Sequence, residues 1–139
     1  MNAPMLTIRL LGSIELRYGD RLIIINRRLE RFILYILAVE LKPVSRSTLI
    51  DLLWPQADQM DPRAALRTAL SRLRKSLVNP DLIVTEFDTV GLDFNQCTFD
   101  VAKFEDYFHS LNNTLSSYQE SRTLPAQIVN QVHKALDLW

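Results

Sequence analysis

Between Pro62 and Pro80 the chain carries five cations, Arg63, Arg67, Arg72, Arg74 and Lys75, and no acid. Interleaved with them are Leu66, Leu70, Leu73 and Leu77, spaced 4, 3 and 4 apart, so on a helix the leucines share one face. At about 100° per residue, Ala64, Thr68, Ser71, Arg72 and Lys75 occupy the opposite face, with Arg63, Arg67 and Arg74 on its flanks. Small side chains, hydroxyls and guanidinium groups suit the major groove of duplex DNA, ~12 Å wide. Arginine grips guanine O6 and N7, a threonine methyl touches thymine, and flanking cations reach phosphates. The competing reading is a solvated basic face, the usual state of a charged helix. Two features weigh against it: no acid intervenes to form i,i+4 pairs, and the outward centre is alanine and hydroxyl instead of mixed Glu and Lys.

Such a helix, roughly 15 residues and about 22 Å long, needs a scaffold. Asp61-Pro62 starts it, because an Asp carboxylate accepts from orphan N–H groups and Pro at the first helical position loses nothing. Upstream, Ser45 is an N-cap candidate for a short helix through Leu49, Ile50, Leu52, Leu53 and Trp54, which Pro55 stops. Before that, Asn26 is the candidate cap of a helix whose stripe Leu29, Phe32, Ile33, Ile36 and Leu37 packs on a core, ended by Lys42-Pro43. Met5 to Leu11, Ser13 to Tyr18 and Leu22 to Ile25 read as three short antiparallel strands, separated by Gly12 and Gly19-Asp20. Downstream, Leu82 to Phe87 and Val90 to Phe94 read as a hairpin turning at Asp88-Thr89.

Asp100 opens another helical pattern, Phe104, Phe108, Leu111, Leu115 and Tyr118, running to about Arg122. After Pro125, Ile128, Val129, Val132, Leu136 and Trp139 form one more apolar face. The helix pair ends on a bare Trp139, which reads as a fragment of a longer protein. Two domains are expected, residues 1–98 and a truncated 99–139.

Composition narrows the function classes. With 47% hydrophobic and 23% charged residues, the 139-residue chain is neither disordered nor fibrous. Its formal net charge of zero hides a division: residues 1–80 hold 13 Lys/Arg and 7 Asp/Glu, net +6, and residues 81–139 hold 3 and 9, net −6. The single cysteine, Cys97, permits no internal disulfide and is read as a buried or incidental thiol; a reducing compartment is the default. No apolar run reaches the ~18 residues of a membrane span, and Met1 to Pro4 has no secretory character, so no membrane partner and a cytoplasmic location are expected. His109 and His133 are isolated, without metal-ligand spacing. No Gly-rich phosphate loop, paired-carboxylate motif or Ser/His/Asp signature occurs, so neither catalysis nor a cofactor is expected.

A short helix, a turn, a basic helix and a hairpin make a winged helix-turn-helix. The stretch Leu49-Ile50-Asp51-Leu52-Leu53-Trp54-Pro55, followed by Ala64-Ala65-Leu66-Arg67-Thr68-Ala69-Leu70-Ser71-Arg72-Leu73-Arg74-Lys75-Ser76-Leu77, closely resembles the DNA-binding domain of Streptomyces antibiotic regulatory proteins (SARPs). That domain is of the OmpR/PhoB-like winged-helix class. Asp100-Val101-Ala102-Lys103-Phe104-Glu105 and Lys134-Ala135-Leu136-Asp137-Leu138-Trp139 resemble the opening of the bacterial transcriptional activator domain that follows it. The resemblance implies an α+β fold: an N-terminal antiparallel sheet, three helices, a C-terminal hairpin, then the first helices of a tetratricopeptide-like domain. It implies that the helix over 62–77 lies in the major groove of double-stranded DNA, on direct repeats, with two protomers head to tail as a homodimer. It further implies activation of transcription, with RNA polymerase as a partner engaged through the loop after Trp54.

The hairpin departs from the family pattern. Glu86, Asp88 and Asp93 make it acidic, Leu92 stands where Tyr often follows Gly, and only Thr89 near the turn is placed to donate to a phosphate. The hairpin is therefore expected mainly to close the core. Arg46, beside the Ser45 cap, is a further phosphate candidate because helix N-termini present N–H groups to anions. Arg27, Arg28 and Arg31 surround Glu30 and read as a solvated turn, and Trp54 reads as a packing anchor. A second function class stays open: a winged-helix protein-interaction module without DNA binding, motivated by the neutral total and the acidic hairpin. A third is a regulatory fragment of a larger ATP-dependent signalling protein.

Overall fold

The computed structural model describes residues 3–56, 58, 60–117 and 126–138. The chain divides into two compact units, Met1–Ile8 with Glu15–Thr98, and Arg9–Ile14 with Phe99–Trp139. In chain order the elements are β1 (Leu6–Arg9), β2 (Glu15–Tyr18), β3 (Arg21–Leu22), α1 (Arg28–Glu40), β4 (Val44–Ser45), α2 (Arg46–Leu53), α3 (Pro62–Ser76), β5 (Ile83–Thr85), β6 (Thr89–Leu92), β7 (Cys97–Phe99), α4 (Asp100–Ser117) and α5 (Ala126–Leu136). This is a mixed α+β chain with two sheets and five α-helices among the described residues.

The first sheet has the order β3-β2-β1-β7. Gly19, at φ 59°, takes the left-handed conformation that a two-residue turn between β2 and β3 requires. The third strand is shorter than its apolar run. Past Ile23, whose N–H donates to the Leu16 carbonyl at 2.9 Å, the chain leaves the ladder for α1, while Ile23 and Ile25 stay buried and Ile24 faces solvent. The fourth strand, β7, was not expected; three residues carry too little alternation to announce a strand.

Helix α1 differs from expectation at its start and in its face. The N-cap is Arg27, with no side-chain cap bond, instead of Asn26. The buried positions are Glu30, Ile33, Leu34, Leu37 and Ala38, whereas Phe32 is 44% exposed beneath the Arg28 guanidinium, 5.2 Å from its ring centroid. Apolar side chains surround this helix over Phe32 to Leu37, so periodicity alone does not select the buried face. Glu30 lies buried with the Arg27 Nε 4.0 Å away. Leu41, in the left-handed conformation, closes the helix through its N–H to the Leu37 carbonyl, just ahead of Lys42-Pro43.

Both expected caps downstream are present. Ser45 Oγ accepts from the Thr48 N–H at 3.1 Å, and an Asp61 carboxylate oxygen accepts from the Ala64 N–H at 3.1 Å. Helix α3 buries its leucine seam completely: Leu66, Leu70, Leu73 and Leu77 are 1%, 2%, 0% and 2% exposed, against α1 and α2. The hairpin belongs to a second sheet of order β4-β6-β5. Its turn falls one residue earlier than Asp88-Thr89: Glu86 and Thr89 exchange backbone bonds at 3.0 and 3.3 Å, leaving Phe87-Asp88 at the tip. The pairing of Ile83 with Leu92 and Thr85 with Val90 sets this register and buries Ile83, Val90 and Leu92 together. Gly91 lets β6 run close to the chain entering β4, since a Cβ there would sit 3.3 Å from the Pro43 Cα.

In the second unit α5 packs on α4, and the Asp100 carboxylate accepts from the N–H groups of Leu10, Leu11 and Val101 at 2.8–3.0 Å. Along α4 the half-buried positions include Phe104, Tyr107 and Leu111, while Phe108 and Leu115 are exposed, a face turned away from the expected stripe. The expected run through Tyr118 to Arg122, and Trp139, lie outside the described residues. No helix among the described residues is long and apolar enough to cross a membrane.

Candidate nucleic-acid interface

Burial of the leucine seam decides where the rest of α3 points. Arg63, Arg67, Thr68, Ser71, Arg72 and Lys75 are exposed, and Ala64 is half-buried. Thr68, Ser71, Arg72 and Lys75 thus share one outward face. None of Arg63, Arg67, Arg72 and Lys75 has a carboxylate within ion-pair distance among the described residues. Four uncompensated cations on one helix repel one another mildly in isolation, and a polyanion laid along the face removes that repulsion.

Arg74 stands apart from the other four. Half-buried, its Nη2 donates to the Ile83 carbonyl at 3.3 Å and to Thr85 Oγ1 at 3.1 Å, tying the C-terminal turn of α3 to strand β5. Thr89 is half-buried at the start of β6, opposite Ser45 in register, and both its backbone groups are used by Glu86.

Arg46 opens α2, where part of the helix N-terminus is already used within the protein. Its own N–H donates to the Asp88 carbonyl at 2.8 Å, and the Thr48 N–H is taken by Ser45 Oγ. Two of the N–H groups at this helix start are already satisfied, which leaves the guanidinium as the main attraction for a phosphate. That side chain is not alone. Arg46, Arg63 and Arg67 line one cleft of about 380 Å³ with Ile50, Asp61, Leu66 and Phe87.

Phe87 is the residue that sequence reasoning missed. At the hairpin tip it is fully exposed, between the exposed acids Glu86 and Asp88. A large apolar side chain placed between two acids in a turn was the available signal, since turns favour small and polar residues. The hairpin tip is also better anchored than a free loop: β4 pairs Ser45 with Thr89, and the Asp88 carbonyl is held by Arg46.

Cys97 lies buried in β7, and its thiol is pushed up to about 12 by burial first and by the Asp93 charge second. It is therefore a neutral thiol near neutral pH, without the thiolate a redox sensor uses. Among the described residues no three His, Cys, Asp or Glu side chains gather to hold a metal.

This arrangement of helices and hairpin is consistent with a winged helix. No protein-family model matches the chain, and no curated protein matches it. Among solved structures it is similar to Mycobacterium tuberculosis EmbR in complex with a low affinity phosphopeptide, with a TM-score of 0.71 and 19% sequence identity. The match covers 100% of this chain and 36% of EmbR, so the chain spans about a third of that protein's length and shares the fold of that part.

Proposed function

We propose that this chain is a sequence-specific, double-stranded DNA-binding module of a bacterial transcription activator of the SARP type. The observation that carries the reading is the exposed face of α3, where Thr68, Ser71, Arg72 and Lys75 stand together over a buried leucine seam, their side chains unpaired among the described residues. In this reading α3 enters the major groove. Arg72 contacts a guanine edge, Thr68 and Ser71 allow close approach and hydroxyl contacts, and Arg63, Arg67, Lys75 and Arg46 hold phosphates. Arg74 braces the wing through β5, and Thr89 donates at its margin. The fold shared with part of EmbR supports the regulatory class. The resemblance to SARPs supplies the finer expectations: direct repeats, a head-to-tail homodimer, and RNA polymerase as partner. Residues 1–98 form the DNA-binding domain, and 99–139 begin a tetratricopeptide-like activator domain. The module binds without catalysis, cofactor or metal, in the cytoplasm.

The salt dependence of binding tests this. With the four cations Arg46, Arg63, Arg67 and Lys75 neutralising phosphates, log K falls against log salt with a slope of about −4. Fluorescence anisotropy of a labelled duplex between low and physiological salt reads that slope; a salt-independent affinity contradicts the proposal. The acidic flanks of Phe87 favour one other reading, a protein-interaction module. A random-sequence duplex that shows no gel retardation at low salt would favour it.

A further inference from the structure

We infer that the cleft formed by Arg46, Arg63, Arg67 and Phe87 is a clamp for one nucleotide of the DNA backbone, in which the guanidinium groups hold the phosphate and the Phe87 ring packs on the adjoining deoxyribose. The inference rests on the proposed DNA-binding function and adds to it a specific residue and contact. Three cations converge from two elements: Arg46 from the start of α2, Arg63 and Arg67 from the first two turns of α3. The one acid in the lining, Asp61, is occupied as the α3 cap, accepting from the Ala64 N–H, and leaves the cleft net positive. Glu86 and Asp88 are not part of the lining.

An anion alone would need no aromatic wall. Phe87 is fully exposed, and the hairpin does not leave it loosely tethered, because the Arg46 N–H holds the next carbonyl, that of Asp88, at 2.8 Å. The residue that supplies one cation therefore also anchors the backbone next to Phe87. A ligand that fits has a dianion-compatible or monoanionic phosphate joined directly to an apolar face of limited size, and a phosphodiester with its sugar meets that description. The cleft's about 380 Å³ is in the range of small-molecule sites.

The test uses the whole 139-residue chain and a duplex recovered by selection from a random pool. Phe87→Ala is expected to weaken binding about five- to tenfold while the salt slope is unchanged, because the lost contact is apolar. Phe87→Tyr, which keeps the ring, is expected to bind within about twofold of the parent. Arg46→Ala is expected to reduce the salt slope by about 1. In a scan of single methylphosphonate linkages, one position is expected to weaken the parent and to leave Arg46→Ala unaffected. The inference is overturned if Phe87→Ala binds like the parent while Arg72→Ala binds weakly; the DNA-binding function then stands without the clamp. If the parent retards no duplex at all, the function fails and the clamp with it.

Discussion

Arg72→Ala will bind its selected duplex about 5- to 150-fold more weakly than the parent, a cost of about 1–3 kcal/mol, and will lose discrimination at a single base pair. Arg72 is the arginine on the outward face of α3 opposite the leucine seam, exposed and without an acidic partner among the described residues. Its guanidinium makes no hydrogen bond or ion pair among the described residues, so the loss is expected to register in DNA binding and to shift the melting temperature little. Lys75→Ala separates the two kinds of contact. Removing a phosphate ligand weakens all sequences alike and lowers the salt slope by about 1, while Arg72→Ala changes the ranking of sequences. Competition binding against every substitution of the selected site reads both effects. If Arg72→Ala retains the parent's ranking and affinity, the base contact belongs to another residue.

Leu73→Ala is the second large effect, and it acts on stability. Leu73 is 0% exposed at the centre of the seam. Truncation removes buried methyl groups and leaves a cavity that the packing against α1 and α2 cannot fully close, at a cost of about 2–5 kcal/mol. That is a substantial share of the roughly 5–15 kcal/mol that holds a domain of this size together. Urea denaturation is expected to show a lower midpoint with an unchanged slope. Thr68→Ala, five residues away on the opposite face and exposed, is the control and is expected to stay within about 0.5 kcal/mol of the parent. Equal destabilisation by both substitutions would mean that the two faces of α3 are not distinguished by burial.

Helix α3 was legible in the sequence because independent signals agree there. Asp61-Pro62 marks the start, the leucine spacing marks the face, and the absence of acids marks the surface chemistry. Helix α1 was legible as a helix but not in its orientation. Its run from Phe32 to Leu37 offers apolar side chains on all sides, and burial of Leu34 in place of Phe32 is decided by packing partners that local spacing does not encode. The short strands β4 and β7 were invisible for a different reason. Each is defined by pairing with a distant segment, Val44 with Val90 in one case and the neighbourhood of β1 in the other, and two or three residues carry no period of their own.

The site divides along the same line. The outward set on α3 follows from one helix and one seam, so Thr68, Ser71, Arg72 and Lys75 could be placed together from spacing alone. The grouping of Arg46 with Arg63, Arg67 and Phe87 could not, because it depends on β4 drawing the hairpin tip onto the start of α2. Arg74 likewise finds its partners Ile83 and Thr85 only once β5 is set in register with β6.

Central to all of this is that the exposed face of α3 is the surface that meets DNA. Titrating the selected duplex into isotope-labelled protein and following each backbone amide by NMR tests it most directly. The account predicts the largest shifts over residues 63–75, at Arg46 and at the hairpin tip over 86–89, with the amides of α1 little changed. Shifts confined to α1, or to α4 and α5, with α3 unmoved at saturation, would contradict it.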